Sequence, residues 1–169
     1  MRVVIVTISD SASKGDRHDT SGESIRQWCG RRGYRVVTKV LVADESPQIS
    51  AVLAEWCDSG QTDLILTTGG TGLAPRDVTP EATRAVIDRE AQGIAEFIRA
   101  SSFVRFPRAA LSRGIAGVRG TTLIINLPGS TTGVQDGLST ILPVIDHAID
   151  IITGKTTRHE TPYGTPVVR

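Results

Sequence analysis

The stretch from Thr67 to Gly72 reads Thr-Thr-Gly-Gly-Thr-Gly. Glycines lack a Cβ atom, so several backbone N–H groups can approach one anion there, and the threonine hydroxyls add further donors. The stretch is therefore a candidate phosphate-binding loop. A Gly-Gly-Thr-Gly turn also serves to bend a strand sharply into a helix, and the residues alone leave both interpretations open.

Two acidic positions are candidates for holding a divalent cation beside such a loop. Asp77 lies five residues beyond Gly72, where its carboxylate could hold Mg²⁺ against bound phosphates. The alternative is a second capping side chain for the helix predicted to begin near Thr79. Asp44, followed by Glu45, comes after a predicted strand and could bind a metal or orient an attacking phosphate. An acid before a Ser-Pro helix start is also ordinary helix-dipole chemistry, and position alone favours neither interpretation.

The turn from Pro128 to Ser130 is a second candidate anion site, because small side chains and hydroxyls precede a predicted helix terminus. A simple Ser or Thr helix cap explains it equally well. A basic segment without any acid runs between Phe97 and Gln135, and it could focus a positive field toward a polyanionic substrate. A solvated helix face is the preferred interpretation for most of its arginines. They are Arg99, Arg105, Arg108, Arg113 and Arg119.

Strands and helices must bring these loops to a common edge. Runs of β-branched residues predict strands at Arg2 to Ile8, Tyr34 to Val42, Asp63 to Thr68 and Thr121 to Leu127. Helical spacing predicts one helix before Gly33 and another after a Ser46 cap. Further helices are predicted at Glu81 to Arg89, Gly93 to Phe103, Arg108 to Ala116 and Val134 to Ile152. Pro143 is predicted to kink or break the last of these helices. The alternation implies an α/β fold with a mostly parallel sheet covered on both faces. Polar loops at 9–21, 69–78 and 128–133 then meet at the carboxyl ends of the strands.

Length and composition indicate one domain. A chain of 169 residues buries roughly 70% of its unfolded surface in a single core, and 39% hydrophobic with 22% charged residues is typical of globular proteins. The domain is expected at residues 1–154 and an extended C-terminal tail at 155–169. Cys29 and Cys57 fit buried thiols better than a disulfide or metal site. No signal-peptide core or membrane-spanning run is apparent, so we expect a cytoplasmic protein.

Several function classes lose support. The net charge of +1 argues against nucleic-acid binding through a basic surface. No Gly-x-Gly-x-x-Gly follows the first strand, which disfavours dinucleotide chemistry. The three histidines are too far apart for a zinc site. A phosphate loop at Gly154-Lys155-Thr156 fails because Ile149 stands where its first glycine is needed.

The string Thr-Thr-Gly-Gly-Thr-Gly-Leu-Ala-Pro-Arg-Asp-Val-Thr-Pro-Glu at 67–81 resembles the motif of molybdopterin adenylyltransferases, the MogA/MoaB family that includes plant and animal G domains. Further similar strings occur in the same order, and the resemblance spans roughly residues 1–155. They are Thr7 to Asp10, Val42 to Glu45, Leu111 to Arg113 and Leu123 to Gly129. The Ser-Thr-Thr after Gly129 differs from the Asn-Pro or Gln-Pro of several relatives.

The resemblance implies a three-layer α/β/α sandwich, a homotrimer, and transfer of AMP from Mg²⁺-bound ATP to molybdopterin with release of pyrophosphate. It assigns Asp44 and Asp77 as the catalytic and metal-binding acids. Phosphate or nucleotide binding is implied for Gly69, Gly70, Thr71, Gly72, Pro128, Gly129 and Ser130. Weaker substrate-binding candidates are Ser9, Asp10, Ser112 and Arg113. Implied partners are molybdopterin, ATP and other molybdenum cofactor biosynthesis proteins, with no membrane or nucleic acid.

Two alternatives remain at this stage. A non-catalytic molybdopterin-binding or scaffolding protein of the same fold would keep the domain without turnover, although retention of both Asp44 and Asp77 favours the enzyme. A generic phosphate crevice that hydrolyses nucleotides or sugar phosphates would consume ATP without a pterin.

Overall fold

A six-stranded sheet organises the chain in a computed structural model that describes residues 1–16 and 18–156. The spatial order of the strands is β2-β1-β3-β6-β5-β4. β1, β2, β3 and β6 are parallel, whereas β5 is antiparallel to both β6 and β4. The strands are β1 at Arg2–Ile8, β2 at Arg35–Val42, β3 at Leu64–Thr68, β4 at Arg89–Glu90, β5 at Ala116–Arg119 and β6 at Thr122–Leu127. The predicted α/β fold with a mostly parallel sheet is confirmed.

Among the described residues, six α-helices and one 3₁₀ helix lie between these strands or follow the last of them. They are α1 at Asp10–Ser13, α2 at Thr20–Arg31, α3 at Ser46–Asp58, α4 at Thr79–Arg84, α5 at Gln92–Phe103, the 3₁₀ helix at Pro107–Leu111 and α6 at Thr131–Ile152. Gly33 and Gly60 follow α2 and α3 with φ of 69° and 68°, a left-handed conformation that glycine adopts at little cost.

The sheet separates two hydrophobic cores, because successive residues of a strand point to opposite faces. In β1, Val3 and Ile5 pack with residues of α2, α5 and α6, whereas Val4 and Val6 pack with α3 and α4. All four are fully buried. This two-sided burial explains why β1 reads as a continuous apolar run, and it produces the three layers.

The chain reverses direction across the sheet after β2. β2 lies on one side of β1 and β3 on the other, so the connections that leave β1 and β3 diverge at their carboxyl ends. Such a switch point opens a crevice in α/β sheets. The loops that follow β1, β2, β3 and β6 all leave the same edge of the sheet.

The predicted helix from Arg108 to Ala116 is wrong. The 3₁₀ helix ends at Leu111 and β5 begins at Ala116, because neighbouring segments satisfy the backbone donors in between. The N–H of Arg113 donates to Thr71 O at 2.8 Å, and that of Ile115 to the Asn126 side chain at 3.2 Å.

The helix predicted at Glu81 to Arg89 is shorter, because α4 ends at Arg84 and the next segment joins the sheet. There Asp88 N donates to Val118 O at 2.8 Å. Pro143 neither ends nor divides α6, whose buried Leu138, Ile141 and Ile145 continue one apolar face across it.

Cys29 and Cys57 are both free and buried, as predicted, and burial raises the pKa of each thiol to about 11. Within the described residues, no helix is both long and apolar enough to cross a membrane. Residues 157–169 of the predicted tail lie outside the described residues.

Candidate functional site

The glycine loop that follows β3 is held by its carbonyl groups. Thr79 donates to two of them, from its hydroxyl to Gly69 O at 2.9 Å and from its N–H to Gly70 O at 3.1 Å. Arg113 donates to the next two, from its N–H to Thr71 O at 2.8 Å and from its Nε to Gly72 O at 2.7 Å. Protein donors therefore satisfy four successive carbonyls of the loop, which fixes its backbone.

Gly69 and Gly70 are required by the backbone and by close neighbours. Their φ angles are 100° and 62°, and a Cβ atom on Gly69 would overlap the carbonyl oxygen of Ile8. A Cβ on Gly129, in the turn after β6, would lie 3.3 Å from Gly69 Cα. Thr68 Oγ1 donates to Pro128 O at 2.7 Å and joins the two turns. The glycine loop, which follows β3, thus packs closely against the end of β1 and against the turn after β6.

Asp44 approaches this loop from the end of β2. Its Oδ1 lies 3.2 Å from the position that a Cβ on Gly70 would take. Its Oδ2 accepts from the N–H of Asp10 at 2.8 Å, and its own N–H donates to Asp10 Oδ1 at 3.1 Å. Reciprocal hydrogen bonds therefore fix Asp44 to the loop after β1.

Asp77 lies at the far end of the same glycine loop. Its Oδ2 accepts from the N–H of Ala74 at 2.8 Å and lies 2.8 Å from where a Cβ on Gly72 would be. Asp77 is not the helix cap, since α4 has Val78 at its N-cap and no side-chain cap hydrogen bond. The structure therefore brings Asp44 and Asp77 to opposite ends of one short loop, on one edge of the sheet.

The electrostatics of Asp44 suit a cation. Burial raises the pKa of its carboxyl, and the negative charges of Asp10 and Asp77 raise it further, whereas the Asp10 N–H and the positive charge of Arg76 oppose this shift. For Asp10, the Arg76 guanidinium and the Asp44 N–H lower the pKa. A group with raised pKa beside two other carboxylates is stabilised in its charged form by a nearby cation.

A divalent cation fits the donors present. In the part of the chain that the structure describes, no group of three or more His, Cys, Asp or Glu side chains is arranged to hold a metal by itself. Mg²⁺ is usually held by one or two carboxylates together with substrate phosphates. Asp44 and Asp77, at a loop suited to phosphate, match that arrangement better than an all-protein site.

A cavity of about 750 Å³ opens beside the glycine loop. Gly70, Thr71, Gly72 and Asp77 line one wall, and the turn from Pro128 to Ser130 lines another. Asp44 is adjacent to this wall through Gly70. Arginines, an aromatic ring and apolar side chains complete the lining, among them Arg99, Arg105, Phe106, Arg108 and Leu111. The volume is in the range of small-molecule sites.

The weaker candidates separate into two groups. Ser112 lines the cavity. Arg113 instead supports the loop, because its guanidinium donates to the carbonyls of Gly72 and Asp77 and pairs with Glu81. Ser9 caps α1 by accepting from Ala12 N at 3.2 Å. Asp10 forms an ion pair with Arg76 at 2.7 Å.

Ser130 combines the two roles considered for it. It is the N-cap of α6, where its hydroxyl accepts from the N–H of Gly133 at 3.1 Å, and it also lines the cavity. The capping alternative is therefore confirmed, and anion binding at Ser130 stays a prediction.

Sequence reasoning missed the part played by five residues. Thr79, near which a helix was predicted to begin, is the first residue of α4, and its hydroxyl donates to Gly69 O. Arg76 bridges two acidic residues. Three arginines of the acid-free segment, Arg99, Arg105 and Arg108, line the cavity. The absence of acids in that segment was the available signal, and the solvated-face interpretation understated it.

Comparisons with known proteins agree with this geometry. Residues 4–147 match the family described as "Probable molybdopterin binding domain". A crystal structure titled as the molybdopterin biosynthesis enzyme MoaB from Thermus thermophilus has 51% identity and a TM-score of 0.86, covering 93% of this chain and 99% of that one. The molybdopterin adenylyltransferase of Helicobacter pylori is 39% identical over 91% of this chain and 89% of its own length.

A longer relative shares only this domain. The Drosophila melanogaster molybdenum cofactor synthesis protein cinnamon is 42% identical to this chain. The matching region covers 88% of this chain and 25% of the length of cinnamon. The match extends over most of the present chain and includes every candidate site residue. The chain therefore belongs to the family described as the probable molybdopterin binding domain, as its glycine-loop motif indicated.

Proposed function

We propose that this chain acts in molybdenum cofactor biosynthesis as a nucleotidyltransferase that adenylylates molybdopterin with ATP and releases pyrophosphate. The observation that carries the proposal is the approach of Asp44 and Asp77 to the two ends of the glycine loop beside a cavity of about 750 Å³. Relatives that match most of this chain are named molybdopterin adenylyltransferases, which supports the same activity.

The chain's own groups account for binding and alignment. The N–H groups of Gly70, Thr71 and Gly72 donate to the phosphates of ATP, and Thr79 and Arg113 hold the loop carbonyls away from them. Asp44 and Asp77 would hold Mg²⁺, which would supply neutralisation of charge on the triphosphate. Arg99 and Arg108 give the remaining wall a positive charge suited to the molybdopterin phosphate, whereas Arg105 is paired at 2.9 Å with Asp136, which also lines the cavity.

The reaction needs no covalent bond to the protein. A phosphate oxygen of molybdopterin forms a bond to the α-phosphorus of ATP, and the bond from that phosphorus to the α,β-bridging oxygen breaks. Pyrophosphate leaves with that electron pair. Such transfers depend on alignment and charge neutralisation, which the loop and the two carboxylates supply.

We infer further that the chain assembles as a homotrimer and works with other molybdenum cofactor biosynthesis proteins. Both proposals are supported by the family resemblance.

The test is to incubate the purified chain with molybdopterin, ATP and Mg²⁺ and to analyse the products by mass spectrometry. We expect a pterin product heavier by one adenylyl group, which is AMP less one water. Molybdopterin binding without any product would instead indicate a scaffolding protein, and ATP loss without pterin would indicate a hydrolase.

A further inference from the structure

Arg76 joins three loops at one point. Its Nε donates to Asp10 Oδ2 at 2.7 Å and its Nη2 to Asp10 Oδ1 at 3.0 Å. The same Nη2 donates to Glu45 Oε1 at 2.8 Å. Arg76 itself belongs to the loop after β3, whereas Asp10 follows β1 and Glu45 follows β2. The planar guanidinium matches a carboxylate with two donors, which an ammonium group cannot do.

Asp10 is hydrogen-bonded both to Arg76 and to Asp44. Asp10 Oδ1 accepts from both Arg76 Nη2 and the Asp44 N–H, at 3.0 and 3.1 Å. The N–H of Asp10 donates in return to Asp44 Oδ2 at 2.8 Å. The Asp10 carboxylate thus holds the Asp44 backbone N–H, and the Asp10 backbone N–H holds the Asp44 carboxylate.

Arg76 is also linked to Asp77, because the two residues are consecutive in the chain. Asp77 closes a small turn in which its N–H donates to Ala74 O at 2.9 Å and its Oδ2 accepts from Ala74 N at 2.8 Å. Arg76 lies inside that turn. It therefore connects the turn that carries Asp77 to the loops that carry Asp10 and Asp44.

We propose that Arg76 is a positioning residue, which fixes the carboxylates of Asp44 and Asp77 relative to one another through its contacts with Asp10 and Glu45. The inference rests on the proposed function, because it assumes that these two carboxylates hold the metal on ATP.

Charge and geometry make opposite predictions for the loss of Arg76. Removing a positive charge from a cluster of carboxylates strengthens cation binding if Coulomb attraction alone matters. Releasing Asp10, and through it Asp44, weakens cation binding if position matters. Lysine at this position keeps the charge and loses the bidentate geometry, so it separates the two effects.

The experiment measures Mn²⁺ binding by electron paramagnetic resonance in the presence of a non-hydrolysable ATP analogue. The variants are Arg76→Lys and Arg76→Gln. Removal of groups that orient metal ligands typically costs about 10- to 100-fold in metal affinity, so we expect Mn²⁺ binding at least about 10-fold weaker in both variants. Glu45→Gln removes only one of the Arg76 contacts and should give a smaller loss in the same direction.

Arg26→Gln is the matched control. The Arg26 side chain is 56% exposed, as is that of Arg76, and it forms a two-donor pair with Glu23 at 2.8 and 2.7 Å on α2. It should bind Mn²⁺ like the wild type. Thermal unfolding midpoints of all these variants should agree within roughly 4 °C, because exposed ion pairs contribute little to stability.

Wild-type Mn²⁺ affinity in Arg76→Lys, or tighter binding in Arg76→Gln, would overturn the proposal, as would a loss no larger than that in Arg26→Gln. Product formation by the wild type is measured separately. If the wild type adenylylates molybdopterin and Arg76→Lys binds Mn²⁺ normally, the role of Arg76 fails and the proposed function stands. If the Arg76 variants lose Mn²⁺ affinity but the wild type forms no product, the role of Arg76 stands and the proposed function fails.

Discussion

At the scale of single residues, the site depends on two carboxylates that have different surroundings. Asp44 is fixed by reciprocal hydrogen bonds to Asp10 and lies beside Gly70, whereas Asp77 is held within its own turn and faces the cavity. Among the described residues, no basic side chain donates a hydrogen bond to either carboxylate, and Arg113 contacts Asp77 only at its backbone carbonyl. This leaves both available to a cation that arrives with the nucleotide.

Asp44→Asn and Asp77→Asn should each lower the rate of adenylyl transfer by about 10²-fold or more, because each removes a carboxylate proposed to hold the cation on the triphosphate. Asparagine keeps an oxygen that accepts the Asp10 or Ala74 N–H, so the free energy of unfolding should change by less than about 1 kcal/mol. Steady-state rates and urea denaturation of the same samples provide the measurement. Asp58→Asn is the control, since Asp58 pairs with Arg119 away from the site. Full turnover in a folded Asp77→Asn protein would rule out the assigned role.

At the scale of elements, the bend from β3 to α4 depends on the absence of side chains. Gly69 has φ of 100° and a Cβ there would overlap Ile8 O, whereas Gly60 has φ of 68° and no atom within 4 Å of its Cβ position. Gly60→Ala should cost about 1 kcal/mol of unfolding free energy from backbone strain alone. Gly69→Ala should cost at least about 3 kcal/mol, because backbone must also move. Equal losses in urea denaturation would show that the close contact is unimportant.

A second element-scale prediction concerns the start of β1. Asp63 accepts from Arg2 N at 2.6 Å and from Arg2 Nη2 at 2.6 Å. Burial raises the pKa of the Asp63 carboxyl, but the hydrogen bonds and charge of Arg2 outweigh this and leave that pKa below its usual range. A lowered pKa in the folded state stabilises the protein above the unfolded pKa of about 3.9, and the stabilisation is lost as pH falls through the folded pKa.

Asp63→Asn should therefore cost about 1–2 kcal/mol of unfolding free energy at pH 7. Its difference from the wild type should shrink as the pH is lowered below about 4. Urea denaturation at pH 7 and pH 3 measures both quantities. Asp150→Asn is the control, since its exposed pair with Lys155 spans 4.0 Å and should contribute less than about 0.5 kcal/mol. A difference that grows at low pH would contradict the sign of this linkage.

At the scale of the whole molecule, alternation of strands and helices was enough to predict the parallel core and the edge at which the loops meet. Strand β4 could not be predicted, because its two residues carry no periodicity and form a strand only by pairing with β5. The role of Arg76 was equally hidden, because its partner Asp10 lies 66 residues away in the sequence. Contacts between distant loops are set by topology, and no local pattern encodes them.

The proposed homotrimer is tested by sedimentation equilibrium. The chain mass is 18.0 kDa, so a trimer should sediment with a mass of about three times that value. A concentration-independent mass of one chain would contradict the proposal and would leave the site, which one chain assembles from its own loops, unaffected.

The proposed reaction requires attack on the α-phosphorus of ATP. Radiolabelled ATP distinguishes this from attack elsewhere, with the label placed either at the α- or at the γ-phosphate and with molybdopterin and Mg²⁺ present. We expect the α label in the pterin product and the γ label in pyrophosphate. Transfer of the γ label to the pterin, or its release as orthophosphate, would contradict it.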